Sequence, residues 1–259
     1  MSFHDALFGL PDRIVVVTGA GRGLGAEIAV AVAGAGAHVA CLSLDHARAE
    51  KTAEAVRRYG REAIAVVCDV ADENSVRTAF EAVVAEFGRV DILYNNAGIA
   101  DPAPAPLHET DSAHWDRTLG VNLSGAFYCC KAALKVMVAQ GRGKIINVAS
   151  IWGMAGAASV ITAPAYSATK GALVNLTREL ALEYAHAGIQ VNALCPGFHR
   201  TDLAAYQDPE FVAAATAFTP MGRIADAAEI RGPALFLAAP ASDYMTGQTL
   251  VVDGGCLAK

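Results

Sequence analysis

What this 259-residue sequence lacks narrows it first. Its six cysteines, Cys41, Cys68, Cys129, Cys130, Cys195 and Cys256, form no C-x-x-C pair, and most sit in apolar runs where a thiol packs as a small hydrophobe. That argues against a disulfide framework or structural zinc and points to a reducing cytoplasm. The seven histidines do not fall at ligand spacings with carboxylates or thiols, so no metal site is expected. No Lys/Arg cluster stands out that could neutralise a run of phosphates, and 20 basic against 26 acidic side chains leave a formal net charge of −6. Nucleic acid is therefore not an expected partner. The opening "MSFHDALFGL" has neither a basic n-region nor a long apolar core, and later apolar stretches are broken by Glu27, His38, Arg48 or glycines. Neither export nor a membrane span is expected.

Linkers, low-complexity tracts and short repeats are missing as well. What is present is a 54% hydrophobic chain near the upper size of one α/β domain, so residues 1–259 are expected to form a single domain. Short β-branched runs at 13–19, 37–43, 63–70, 90–96, 144–150, 189–195 and 248–254 alternate with helical stretches near 24–35, 45–59, 72–87, 112–140, 165–187 and 226–238. Strand and helix repeated this way predict a mostly parallel sheet of about seven strands with helices on both faces. Its strands, buried on both sides, need no polar alternation. Gly60, Gly88 and Gly188 fall where helices should end. Two less regular segments, 98–113 and 201–223, follow predicted strands and are the candidate substrate-facing loops.

"VVVTGAGRGLGAEIAVAVAGAGA" runs from a strand through a glycine-rich turn into a helix. Glycines open backbone angles closed to other residues and let a pyrophosphate approach the main chain, while the helix start offers N–H groups and a favourable dipole. The G-x-G-x-x-G/A pattern fits at Gly21, Gly23 and Ala26, or alternatively at Gly19, Gly23 and Gly25. Further along, "PAYSATKGALVNLTREL" sets Tyr166 four residues before Lys170, on one face of a helix. An unperturbed phenol titrates near pH ~10 and a nearby ammonium favours its ionised form, so the pair is suited to acid/base work.

The motifs "TGAGRGLG", "CDV", "NNAG", "VNLSG", "INVAS", "YSATK", "VNALCPG" and "TGQTLVVDGG" stand in the order seen in short-chain dehydrogenases/reductases, which the chain resembles over essentially its whole length. The resemblance implies a doubly wound Rossmann fold, an NAD(P)(H) cofactor and hydride transfer between an alcohol and a carbonyl. By position, Gly19, Gly23, Leu24 and Gly25 would bind the pyrophosphate, and Asp69 and Val70 the adenine. Asn96, Ala97 and Gly98 would line the adenosine side, and Pro196, Gly197 and Thr201 would contact the nicotinamide half. Asn122, Ser150, Tyr166 and Lys170 match the family's catalytic tetrad, with Tyr166 and Lys170 also touching the cofactor. The same resemblance gives Asn122 a water that relays protons to Lys170. Ser150, ending a strand, is placed to hydrogen-bond a substrate oxygen as charge develops on it.

In the family register Ser43 occupies the usual acidic position at the end of the second strand, and Arg22 can pair with a phosphate, which favours NADP over NAD. Asp45, about twenty residues after Gly25, is the NAD alternative, and its other reading is a helix N-cap. The interval from Ser150 to Tyr166 is a few residues longer than is usual in the family and should bulge around Ala158 to Pro164. His108, Trp152, Met154, Ala157, His199, Tyr206 and Phe218 are the pocket candidates, with His199 able to orient a substrate hydroxyl or to sit in solvent. Cys195 is read as packing. They suit a small polyol, sugar or hydroxy ketone; a 3-oxoacyl thioester reductase and a catalytically silent nicotinamide-binding sensor are the alternatives. A methyltransferase would have no role for Y-x-x-x-K or N-N-A-G. Apolar residues on more than one face of 112–140 and 165–187 predict a homodimer or homotetramer.

Overall fold

The computed structural model describes residues 2–101 and 104–258. The seven predicted strands are β1 (Ile14–Thr18), β2 (His38–Ser43), β3 (Ala63–Val67), β4 (Ile92–Asn95), β5 (Gly143–Val148), β6 (Ile189–Pro196) and β9 (Thr249–Val252). They form one sheet in the order β3-β2-β1-β4-β5-β6-β9, and every neighbouring pair is parallel. A separate bridge joins β7 (His199–Arg200) to β8 (Ala225–Asp226). The chain builds outward from β1 to β3, then returns to place β4 on the other side of β1. That reversal opens a crevice beyond the carboxyl ends of β1 and β4, where such sheets bind ligands.

The side-chain period of two within each strand divides the core between the two faces. Val15 and Val17 point to the face covered by α2 (Gly23–Gly34), α3 (His46–Arg57) and α9 (Arg231–Ala238). Ile14 and Val16 point to the face covered by α4 (Glu73–Phe87), α6 (Gly125–Gln140) and α7 (Pro164–Tyr184). Gly88 ends α4 and Gly188 ends the turn after α7, both in the left-handed conformation that glycine takes without strain.

Three differences from the sequence reading have local causes. The helix predicted over 112–140 is interrupted: α5 (Ser112–Leu119) passes into a π-turn, Gly120–Ser124, before α6 begins, which turns Asn122 inward. The segment 201–223 holds α8 (Pro209–Phe218), whose start is written as Asp208 at the N-cap and Pro209 in the first turn. The first residues form α1 (Phe3–Phe8), closed by a capping box between Ser2 and Asp5. The candidate loop 98–113 contains a short 3-10 turn, Leu107–Glu109, while its Pro102 and Ala103 lie outside the described residues.

Candidate active site

The glycine turn after β1 forms one wall of a cleft of about 420 Å³. α2 opens with Arg22 at its N-cap, no side-chain cap and no acidic residue in its first turn, so its backbone donors face the cleft as an anion cradle does. Gly19, at φ 64°, lets this turn touch the loop after β4: a Cβ there would stand 2.8 Å from Ala97 Cα. Gly23, at φ 56°, faces Thr201 across the cleft. Leu24, Asp69, Val70, Asn96, Ala97 and Gly98 line the same space, as do Pro196, Gly197 and Thr201. Gly25 does not line it. A Cβ on Gly25 would lie 2.4 Å from Gly19 O and Asn96 Nδ2, so this glycine lets α2 press onto the strand end. Asn96 steadies the turn by donating from Nδ2 to Thr18 O at 2.9 Å.

At the end of β2, Ser43 Oγ accepts the Asp45 N–H at 3.2 Å. Asp45 is the N-cap of α3, accepting the Arg48 N–H at 3.1 Å, and its carboxylate is held by Arg48 Nε at 3.2 Å. Arg22 reaches Asp202 at 3.4 Å with both side chains largely exposed. Arg22, Ser43, Asp45 and Arg48 line this end of the cleft, with the Asp45 carboxylate engaged as the N-cap of α3.

The four tetrad candidates converge from three places in the fold: the segment after β5, α7 and the π-turn before α6. Ser150 follows β5; its Oγ accepts the Trp152 N–H at 3.2 Å and hydrogen-bonds the Tyr166 phenol. Tyr166 and Lys170 share one face of α7, with Lys170 Nζ 5.5 Å from the centre of the Tyr166 ring and donating to Val148 O at 2.8 Å. Asn122, in the π-turn, accepts the Ile99 N–H at Oδ1 (2.8 Å) and donates from Nδ2 to Ile99 O (2.9 Å). It stands just behind the cleft. A Cβ on Gly98 would meet Asn122 Oδ1 at 3.4 Å and Lys170 Nζ at 3.5 Å, so the two groups meet across that glycine.

Burial dominates the electrostatics. It pushes the Tyr166 phenol up to about 12, opposed by the Ser150 hydrogen bond and reinforced by Cys195 and Asp101. It pulls Lys170 down to about 8, against the attraction of Cys195. The lowering of the phenol expected from Lys170 is not found in the polypeptide itself, where desolvation penalises both charged forms at once. Cys195 is a buried thiol raised to about 11, which suits packing and not nucleophilic attack.

Beyond the tetrad, the cleft is walled by Trp152, Phe198, Phe211 and Tyr206. Their rings form an edge-to-face cluster, Phe198 lying 6.0 Å from Trp152 and Tyr206 5.4 Å from Phe211. Of the pocket candidates, Trp152, His199 and Tyr206 line this end. Phe218 packs behind Trp152 and Ala157 is buried beside it, whereas His108 and Met154 are exposed away from the cleft. His199 is not a solvated loop histidine: it is 4% exposed, burial lowers its pKa, Nδ1 lies 3.2 Å from Gly197 O, and Nε2 has no hydrogen-bond partner among the described residues. Asp101, Phe198, Phe211 and Arg48 line the cleft without having been singled out in the sequence. Arg48 and Phe211 lie on helices α3 and α8, where only the turn of the helix brings them to the cleft.

A family model described as enoyl-(acyl carrier protein) reductase matches residues 19–256. The cis-4-hydroxycyclohexanecarboxylate dehydrogenase of Sinomonas cyclohexanicum is 42% identical, with 94% of this chain and 96% of that protein covered. The D-threitol dehydrogenase of Mycolicibacterium smegmatis is 40% identical, with 97% and 95% covered. A gluconate 5-dehydrogenase from Burkholderia cenocepacia, solved in complex with NADP and tartrate, superposes with a TM-score of 0.92 at 38% identity, covering 98% of this chain and 99% of that one. The chain belongs to the short-chain dehydrogenase/reductase family. It is a nicotinamide-dependent oxidoreductase of CH–OH groups.

Within this family fold, the long interval between Ser150 and Tyr166 lies over the substrate end of the cleft. A 3-10 turn, Ile151–Gly153, follows Ser150; Ala157 is buried, and Ile161 and Ala163 reach the cleft wall before α7 begins at Pro164.

Proposed function

We propose that this dehydrogenase uses NADP(H) in preference to NAD(H) and interconverts a secondary alcohol and a ketone on a small polyol, sugar or hydroxy ketone. The observation that carries the reading is the meeting of Ser150, Tyr166 and Lys170 on the wall of a cleft whose other half is a glycine cradle. In oxidation the substrate hydroxyl gives its proton to Tyr166 Oη as a hydride leaves the same carbon; reduction returns both. Ser150 Oγ donates to the substrate oxygen as negative charge grows there. Lys170 supports the phenolate and reaches the ribose, and Asn122 fixes Ile99 beside them and, by the family resemblance, holds the relaying water. His199 Nε2 takes a further substrate hydroxyl. A bound nicotinamide dinucleotide supplies the hydride acceptor or donor and, when oxidised, a positive ring charge. Gly19, Gly23, Leu24 and the α2 donors hold its pyrophosphate, with Asp69 and Val70 at the adenine. Ser43, Arg22 and Arg48 take the 2′-phosphate, Asp45 being tied up as a cap.

The buried state of all six thiols suits a reducing cytoplasm, and among the described residues no helix is long and apolar enough to cross a membrane. Exposed Phe127 and Val138 on α6 and Leu182 on α7 support a homodimer or homotetramer.

Nicotinamide absorbance with each of the four cofactors and a panel of sugars, polyols, ketones and oxoacyl thioesters tests the reading. The expected result is turnover with a polyol, sugar or ketone, about tenfold or more in favour of NADP(H), absent in Tyr166→Phe while cofactor binding persists, and a raised KM in His199→Ala. Turnover confined to an oxoacyl thioester, an NAD(H) preference, or a fully active Tyr166→Phe would each overturn its part.

A further inference from the structure

The catalytic helix begins without a cap of its own. Ala163 occupies the N-cap position of α7 and offers no side-chain acceptor. Of the first backbone donors, Pro164 has none and Ser167 N–H is taken by Ala163 O at 3.0 Å. That leaves Ala165 and Tyr166. The second is served by a carboxylate from a different element: Asp101 Oδ1 accepts the Tyr166 N–H at 3.2 Å, while Oδ2 of the same carboxylate is buried without a hydrogen-bond partner among the described residues. The two partners are 65 residues apart in sequence. Asp101 lies in the segment after β4 that follows Gly98 and Ile99, and it lines the cleft.

We propose that Asp101 is a positioning residue for the reaction, capping α7 from outside the helix and so fixing where the Tyr166 phenol stands between Ser150 and Lys170. The proposal rests on the dehydrogenase reading above. An unfulfilled first turn would fray or solvate, and Tyr166 is in that turn. The carboxylate also acts on the phenol through space, favouring its protonated form, while burial raises the acid's own pKa against the Tyr166 N–H that it accepts. The other titratable groups facing the pair are Lys170 on α7, Cys195 on β6, His114 on α5 and Tyr206 in the segment before α8. Asp101 thus adds to the burial that keeps the phenol protonated.

Two variants separate the cap from the charge. Asp101→Asn keeps a carbonyl acceptor and loses the charge; Asp101→Ala loses both. The expected kcat of Asp101→Ala is roughly ten- to a hundredfold below wild type, and that of Asp101→Asn within a few fold. In alcohol oxidation, where the phenolate is the active form, the pH midpoint of kcat in Asp101→Asn should move down by about one unit, a shift that a merely structural residue would not cause. Amide hydrogen exchange on the holoenzyme supplies a readout without turnover: Tyr166 should exchange faster in Asp101→Ala and near the wild-type rate in Asp101→Asn. Wild-type kcat and pH profile in both variants, or unchanged exchange in Asp101→Ala, would overturn the proposal. If Asp101→Ala does not fold, the pH midpoint of Asp101→Asn decides. A wild-type protein with no turnover on any substrate would instead sink the dehydrogenase reading, and exchange would still judge the cap.

Discussion

A buried ammonium is a standing cost to the fold, and Lys170 carries it for the sake of the reaction. Its pKa is drawn down to about 8 by burial, from an ordinary lysine value of 10.5. The unfolded chain therefore binds the proton more tightly, and between pH 8 and 10.5 the folded state gains stability from this group as pH rises. Below pH 8 both states are charged and the full burial penalty applies. Lys170→Met should lack turnover, and its melting temperature relative to wild type should be highest near neutral pH and fall as pH climbs through that window. A difference in melting temperature that is flat from pH 7 to 10.5 would show that Lys170 is not desolvated as described. Tyr166 follows the complementary rule: oxidation needs it ionised and reduction needs it protonated, so oxidation should quicken and reduction slow toward alkaline pH.

At the scale of elements, the site depends on how closely α7 is pressed against the turn after β5. Gly153 is the contact point. A Cβ there would stand 2.5 Å from Lys170 O and 2.6 Å from Lys170 C, both backbone atoms inside a helix that cannot yield locally. Gly153→Ala should cost roughly 1–3 kcal/mol of stability and, by pushing Lys170 and Tyr166 off Ser150, lower kcat more than it changes KM for the cofactor. Gly156→Ala, where a Cβ meets nothing within 4 Å, is the control and should behave as wild type. Thermal melts paired with steady-state kinetics read both effects, and an undisturbed Gly153→Ala would refute the close contact. A buried chain from Asn95 to Asn147 to Thr177, at 2.9 Å each, ties β4 and β5 to α7 further along and keeps the helix in register with the sheet.

For the whole molecule, the sheet is covered on both faces, yet α6 and α7 still turn Phe127, Val138 and Leu182 outward, at 49%, 47% and 81% exposure. Apolar side chains of this size on two neighbouring helices are a reason to associate. Light scattering at micromolar protein should give a dimer or tetramer, and Phe127→Glu with Val138→Glu should yield a smaller species that remains folded. A wild-type monomer at that concentration would overturn the assembly.

The parallel sheet, the glycine turn, the tetrad candidates and the family itself were legible along the chain, because each rests on a local pattern: strand and helix periods, a turn that needs glycine, or a motif in fixed order. The sequence by itself determined which residues are chemically able to act. The tertiary structure decided which of them meet. Gly25 is off the cleft wall because it packs against Gly19 and Asn96, and Asn122 was carried inward by a π-turn that no period announces; the N-cap reading of Asp45, by contrast, was already open in the sequence and is the one the structure holds. Asp101 could not be read at all, since nothing near it in sequence shows that a backbone donor in the first turn of a helix 65 residues away needs an acceptor from outside that helix. Burial, which no local pattern records, then set the proton affinities of Tyr166 and Lys170, because a charge is penalised by what surrounds it in space and not by its neighbours along the chain.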